Sequence, residues 1–192
     1  MTQENFIALA LFAIVSTGTP GPNNLMVMAS GANFGVRRTW PHILGIAIGF
    51  SAMIFLVGAG LSRVFEVVPW LDTALLIASA VFLAYLAWKI ATAAPPDPDA
   101  PRGSPFTFVQ AAAFQWVNPK AWAMALTTAT VYAPGAAATA GMVFAAVAVP
   151  LIVLWAIAGR GVARFLTAPR ALRAFNWTMA ALLIASTLPA LM

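Results

Sequence analysis

The chain contains no cysteine, one histidine and only five carboxylates in 192 residues. Without cysteine there are no disulfides, no thiolate metal sites and no cysteine nucleophile. The carboxylates, Glu4, Glu66, Asp72, Asp97 and Asp99, all fall at predicted helix ends or in a linker. None is left at mid-membrane to relay a proton. Divalent metals favour carboxylate, imidazole or thiolate ligands, so neither a metal-transport site nor a resident metal or other cofactor is expected. An intramembrane enzyme would want a buried acid–base pair or a metal cluster, and the spans offer neither; Ser and Thr are present, but nothing partners them as nucleophiles. The amino terminus, MTQENF, lacks the basic stretch that opens a signal peptide. It is expected to be retained.

What the chain has is apolar length. It is 62% hydrophobic and 8% charged, with a mean hydropathy of +0.90, whereas a soluble domain carries about 25% charged residues. This predicts an all-α membrane protein. A span takes about 20 residues, so the length allows about six with short loops. The net charge of +5 fits basic residues placed at helix ends by the positive-inside bias, not a patch for nucleic acid.

One polar, helix-breaking stretch interrupts the first apolar run. Between Asn5 and Val36 there is no charge, yet Thr19–Asn24 reads TPGPNN. Pro20 and Pro22 each remove a backbone donor and clash with the preceding turn, and Gly18 and Gly21 loosen the chain further. The first span, Phe6 to about Met28, is therefore predicted to be discontinuous. Such breaks persist at membrane depth only where they are buried in protein or line a wet cavity, and transporters build substrate sites from them.

The remaining spans follow in order. A loop with Arg37 and Arg38 precedes a second span over His42–Leu61, which contains Gly45-x-x-x-Gly49. That spacing lets helix backbones approach, either within one chain or between protomers of a homo-oligomer. Arg63, Glu66 and Pro69 mark a turn before the third span, Leu71–Ile90, which ends in AYLAWK with Tyr85 and Trp88 as interface anchors. Residues 92–105 form a Pro-rich linker. The fourth span, Phe106–Val131, carries a second polar knot at Gln115, Asn118, Pro119 and Lys120. The loop YAPGAAATAG, a fifth span over Met142–Ala158, a basic loop with Arg160, Arg164, Arg170 and Arg173, and a sixth span over Phe175–Leu191 complete the chain.

With the amino terminus outside, eight basic residues (Arg37, Arg38, Lys89, Arg102, Arg160, Arg164, Arg170, Arg173) face inward and only Arg63 faces outward. Both termini are accordingly expected outside. Residues 1–91 and 106–192 then form two three-helix repeats of inverted orientation, each with its break in its first helix. Pro22 lies 23 residues before Gly45, and Pro119 lies 22 before Gly141. The expected fold is six transmembrane helices as two inverted three-helix repeats, with a site where the breaks meet.

TPGPNN, Gly45-x-x-x-Gly49-Phe50, AYLAWK at Ala84–Lys89 and NPK at Asn118–Lys120 together resemble the lysine exporter / homoserine–threonine resistance family of amino-acid effluxers. The resemblance spans nearly the whole chain. Phe50 and YLAWKIAT are similar to the branch that exports cysteine and O-acetylserine. Many relatives have Asp where this chain has Phe50, so neither a carboxylate-based coupling site nor a preference for basic substrates carries over. The resemblance implies an inner-membrane protein that moves small amino acids outward, driven by the proton motive force. A carrier for another metabolite or an ion, or a channel, is the alternative; an intramembrane enzyme comes after these.

The candidate substrate-binding residues are Pro20, Pro22, Asn23, Asn24, Gln115, Asn118, Pro119 and Lys120. Lys120 is the ionisable side chain placed deepest in a span, at a cost of at least about 2.5–3.5 kcal/mol on insertion scales. It is read as facing the cavity to pair with a substrate carboxylate; otherwise it snorkels inward or bonds the carbonyls freed at the opposite break. Asn23, Asn24, Asn118 and Gln115 either hold a zwitterion or satisfy orphaned backbone groups. The prolines make half-helices whose N-termini attract an anion. His42 is expected at an interfacial helix start, although its imidazole could shuttle a proton. Trp116 and Trp122 are expected to face lipid or the interface.

Overall fold

The computed structural model describes residues 1–61, 63–68, 70–93, 104–166 and 168–186, with backbone only at Phe65, Glu66, Asp72 and Pro169. Most of the expected 92–105 linker (94–103, with Asp97, Asp99 and Arg102), Pro69 of the expected turn and residues 187–192 of the expected sixth span lie outside the described residues. Everything described is helix or short connection. Helices α1 (Gln3–Gly18) and α2 (Pro22–Phe34) form a pair bent by 53°. Helix α3 (Val36–Leu56) runs on through a π-turn at Val57–Leu61; α4 (Arg63–Val67) is one short turn, and α5 is Trp70–Ala91. Helix α6 (Phe108–Phe114), a 3₁₀ turn (Gln115–Val117), α7 (Pro119–Thr127) and a π-turn (Thr128–Tyr132) make a second interrupted element. Helices α8 (Ala137–Ala163) and α9 (Pro169–Ala185) follow.

Three stretches are long and apolar enough to cross a membrane by themselves: Val36–Leu61, Thr73–Ala91 and Ala137–Ala163, and the bent α1–α2 pair makes a fourth. Large apolar side chains cover their outer faces, including Leu11 and Val15 on α1, Ile77 and Val81 on α5, and Leu154 and Ile157 on α8. A surface of that kind suits lipid. The protein is an all-α, multi-pass membrane protein.

The break between α1 and α2 follows from local chemistry. Thr2 opens α1 by accepting a hydrogen bond from the Asn5 amide at 3.2 Å. At the other end Thr19 turns extended, Gly21 is the N-cap of α2, and Pro22 occupies its first turn. Pro needs no partner at that position. The second break has the same design: a capping box of Thr107 and Gln110 starts α6, Asn118 turns extended, and Pro119 begins α7.

Several connections are tighter than the sequence suggests. Instead of a loop carrying Arg37 and Arg38, Gly35 alone separates α2 from α3, at φ 77°. That left-handed geometry is open to glycine, so both arginines sit in the first turn of α3, and Arg38 lies 5.6 Å over the Phe34 ring. The Arg63–Glu66 turn is the short helix α4. The uncharged loop shrinks to residues 133–136, because α8 begins at Ala137 rather than at Met142. The basic loop is largely helical: Arg160 lies in α8, and Arg170 and Arg173 in the first turns of α9.

Glycines set the closest helix contacts. A Cβ on Gly45 would strike the Phe108 carbonyl and the Ala111 methyl, and one on Gly49 would lie 2.6 Å from Ala112 Cα. The Gly45-x-x-x-Gly49 face is thus used inside the chain, against α6. Gly31 and Gly159 do the same for α2 and α8, meeting the Ala156 and Met28 carbonyls respectively. Helix α8 packs on α1, α2 and α3; α3 also receives α6, and α5 packs on α9. One apolar core (Leu9, Phe50, Met53, Ile54, Ala121, Phe144) lies beside the breaks, and a second (Val27, Ile43, Ile46, Ala148, Ile152) continues it along α3 and α8.

Candidate functional site

The two breaks meet, and side chains from each satisfy the other. Asn23, on the first turn of α2, donates to Gln115 Oε1 at 2.8 Å, while Gln115 Nε2 donates to Asn23 Oδ1 at 3.1 Å. Gln115 also donates to the Ala111 carbonyl at 2.9 Å and is fully buried. This reciprocal amide pair ties the second break to the first.

Lys120 makes the second tie. Its ammonium donates to the Thr19 carbonyl at 3.0 Å, to Thr19 Oγ1 at 2.9 Å and to the Pro20 carbonyl at 3.4 Å. It reaches the carbonyls of the opposite break, the last of the three arrangements open from the sequence, while its stem also lines the cavity described below. Asn24 serves the same break: its amide nitrogen donates to the carbonyls of Thr17 (2.7 Å) and Thr19 (2.8 Å). Asn118 caps α7 by accepting from the Lys120 backbone amide at 3.2 Å.

A small cavity of about 40 Å³ opens at this junction, lined by residues of five helices (α1, α2, α3, α7 and α8) and both breaks. Its polar wall includes Thr17, Asn23, Asn24, Asn118 and Lys120; its apolar wall is Ile46 and Phe50 of α3, Met124 of α7, and Ala148 and Ile152 of α8. Among the described residues no carboxylate lines it. Of the residues singled out from sequence, Asn23, Asn24, Asn118 and Lys120 reach the cavity. Gln115 stands behind Asn23, and Pro20, Pro22 and Pro119 shape the half-helices without lining the space between them.

Sequence reasoning overlooked the hydroxyls at the end of α1. Thr19 gives two of the three oxygens around Lys120, and Thr17 Oγ1 is buried in the cavity wall without a hydrogen-bond partner. Their position beside TPGPNN was the available signal. The apolar wall carried none, since Ile46 and Ile152 look like any other core positions.

Two aromatic expectations change. His42 is buried, not interfacial, because α3 begins six residues before it and turns it inward. It lies 5.3 Å from the Phe106 ring, and neither ring nitrogen has a hydrogen-bond partner. Trp116 and Trp122 pack edge to face at 5.9 Å, with the Trp122 indole donating to the Trp116 carbonyl at 2.8 Å. Both are half-buried against the core beside the breaks, so only part of each ring is left to face outward. Among the described residues no group of three His, Asp or Glu side chains could hold a metal.

Broken helices that meet around a small cavity are an arrangement from which membrane transporters build their substrate sites. The family follows from sequence: residues 14–189 match the LysE type translocator family, and the chain belongs to it. It is similar to the cysteine/O-acetylserine efflux proteins of Escherichia coli (strain K12) and Shigella sonnei (strain Ss046). Each is 31% identical over 166 residues, which covers 83% of this chain and 84% of the relative. No solved structure matches.

Proposed function

We propose that this protein is an inner-membrane exporter of small neutral amino acids, energised by the proton motive force, and a carrier rather than an enzyme. The junction of the two breaks carries this reading: among the described residues, one cation, several amides and no carboxylate line a cavity with an apolar wall. The efflux proteins it resembles, named for cysteine and O-acetylserine, support cargo of that class, to which serine is chemically close.

The chemistry suits a zwitterion. The substrate carboxylate goes to Lys120 and the N-terminus of α2, whose cap is Gly21 and carries no side-chain acceptor, so the helix end is open to an anion. The amides of Asn23, Asn24 and Asn118 supply neutral donors and acceptors. The side chain rests against Ile46, Phe50, Ala148 and Ile152, a wall with nothing to neutralise a cationic group. A volume of about 40 Å³ suits roughly three waters, less than an amino acid, so admission requires the walls to part. Transport is then alternation between two arrangements of the halves.

Two inverted repeats, 1–91 and 106–192 joined through 92–105, provide the halves, with six spans and both termini outside. Under a two-fold axis in the membrane plane, α3 exchanges with α8, α5 with α9, and α1–α2 with α6–α7. The observed packing supports that exchange: α3 lies on α8, α5 on α9, and α1–α2 against α8 as α6–α7 lies against α3.

The decisive experiment is counterflow. Proteoliposomes loaded with unlabelled serine should take up labelled serine faster than empty ones, and Lys120→Ala should abolish the acceleration. No exchange with any neutral amino acid, from protein shown to be folded, would overturn the reading. Uphill efflux under an imposed proton gradient, lost with a protonophore, separates a proton-driven carrier from a channel.

A further inference from the structure

We infer that Thr19 and Pro20 form a subsite for the substrate's α-ammonium group and that Lys120 competes for it, an inference that rests on the carrier reading above. The Lys120 ammonium meets three neutral oxygens, two from Thr19 and one from Pro20, at 2.9–3.4 Å. The two carbonyls lie past the last turn of α1, where the chain turns extended at Thr19, and besides the lysine the Thr19 carbonyl accepts only the Asn24 side-chain amide, at 2.8 Å. Thr19 Oγ1 turns its own hydrogen to the Ser16 carbonyl at 3.0 Å, which leaves its lone pairs facing the cation. A primary ammonium brings three donors and one positive charge. An α-ammonium brings the same, so the oxygens that satisfy the lysine satisfy the substrate.

The exchange explains selection for a zwitterion. An incoming amino acid can give its ammonium to Thr19 and Pro20 and its carboxylate to the displaced Lys120, so neither charge is left bare. A simple amine would place two cations side by side at the mouth of the cavity, where Thr19 and Pro20 are exposed, without an anion. A simple carboxylate would draw Lys120 away and leave Thr19 Oγ1 and the Pro20 carbonyl without their cation. The flexible four-carbon stem of lysine permits the move. Gly21 gives it room, since a Cβ there would stand 2.8 Å from Lys120 Cδ and 3.0 Å from Nζ.

The test compares serine with ethanolamine, which keeps the ammonium and lacks the carboxylate. Binding is read from ligand-induced shifts in thermal unfolding of the purified full chain in detergent. Lys120→Met and Lys120→Gln should bind ethanolamine at least roughly tenfold more tightly than wild type, since they lose the competing cation, and should bind serine more weakly. Lys120→Arg should remain as poor an ethanolamine binder as wild type. Thr19→Val alone should weaken serine binding roughly tenfold, as expected for one hydrogen bond to a charged group. Ethanolamine affinity that is unchanged or lower in the neutral variants, or serine affinity untouched by Thr19→Val, overturns the subsite while leaving the carrier reading intact. A wild-type protein that binds neither serine nor any other neutral amino acid removes the carrier reading itself.

Discussion

Cutting the amide pair that joins the two breaks has a cost that can be bounded in advance. Asn23 and Gln115 exchange hydrogen bonds at 2.8 and 3.1 Å. In a soluble core each buried polar group left unpaired costs about 1–3 kcal/mol, so the two groups stranded on Asn23 would together cost about 2–6 kcal/mol. Hydrogen bonds between membrane helices measure less, about 0.6 kcal/mol on average and about 1.7 at most. Asn23 lines the cavity and its freed groups can meet water, so the smaller figure governs. Two such bonds predict a coupling of about 1.2 kcal/mol. The measurement is a double-mutant cycle of Asn23→Ala and Gln115→Ala by equilibrium unfolding in mixed micelles. A cycle is needed because Gln115→Ala alone also removes packing and the bond to the Ala111 carbonyl. Coupling indistinguishable from zero, within about 0.3 kcal/mol, would refute the link between the breaks. Coupling above about 3 kcal/mol would mean that water does not reach Asn23 and that the soluble-core figure applies.

Three further perturbations probe other parts of the fold. Gly159→Ala drives a methyl into the Met28 carbonyl, whereas Gly161→Ala meets nothing within 4 Å; the first should destabilise by about 1–3 kcal/mol and the second should stabilise by up to about 1 kcal/mol, both read from unfolding curves. Gly21→Ala should leave the fold intact, because only the lysine stem stands in the way, yet displace Lys120 and slow serine counterflow; unchanged counterflow would show that the position of Lys120 over Gly21 is immaterial. His42→Phe removes two buried, unpartnered ring nitrogens and keeps an aromatic against Phe106. It should raise stability by about 1–2 kcal/mol with transport retained, and lost counterflow in a folded variant would put the imidazole on the transport path.

The breaks were legible because proline and glycine act locally. Two prolines two residues apart cannot continue a helix in any surroundings, and Asn118-Pro119 reads as a cap followed by a first turn without further context. That Asn23 would find Gln115, 92 residues away, was beyond local rules; it needed the two breaks brought together. The tight joint at Gly35 was hidden because Arg37 and Arg38 look like loop residues, and only the positive φ of the glycine lets the next helix start at once. His42 was misjudged for a related reason, since moving the start of α3 forward turns an interfacial residue into a buried one. The cavity wall is the least legible part, as apolar positions facing a substrate and those facing a neighbouring helix carry the same side chains.

The two breaks share an architecture but not a chemistry, and the difference gives the site a direction. Each half-helix begins with proline, and each therefore presents amides that no preceding turn can use. At α7 that end is closed, because Asn118 turns its own carbonyl oxygen onto the Lys120 amide. At α2 the cap is glycine, and no side chain takes its place. The cation follows the same asymmetry: Lys120 leaves the break it grows from and crosses to Thr19 and Pro20, beside the open end. Two-fold related breaks with two open ends would offer two equivalent anion sites and no fixed orientation for a zwitterion. With one end capped and the lysine sent across, positive potential gathers at the start of α2 and hydrogen-bond acceptors at the end of α1. A molecule carrying both charges on one carbon can lie between them in one sense only.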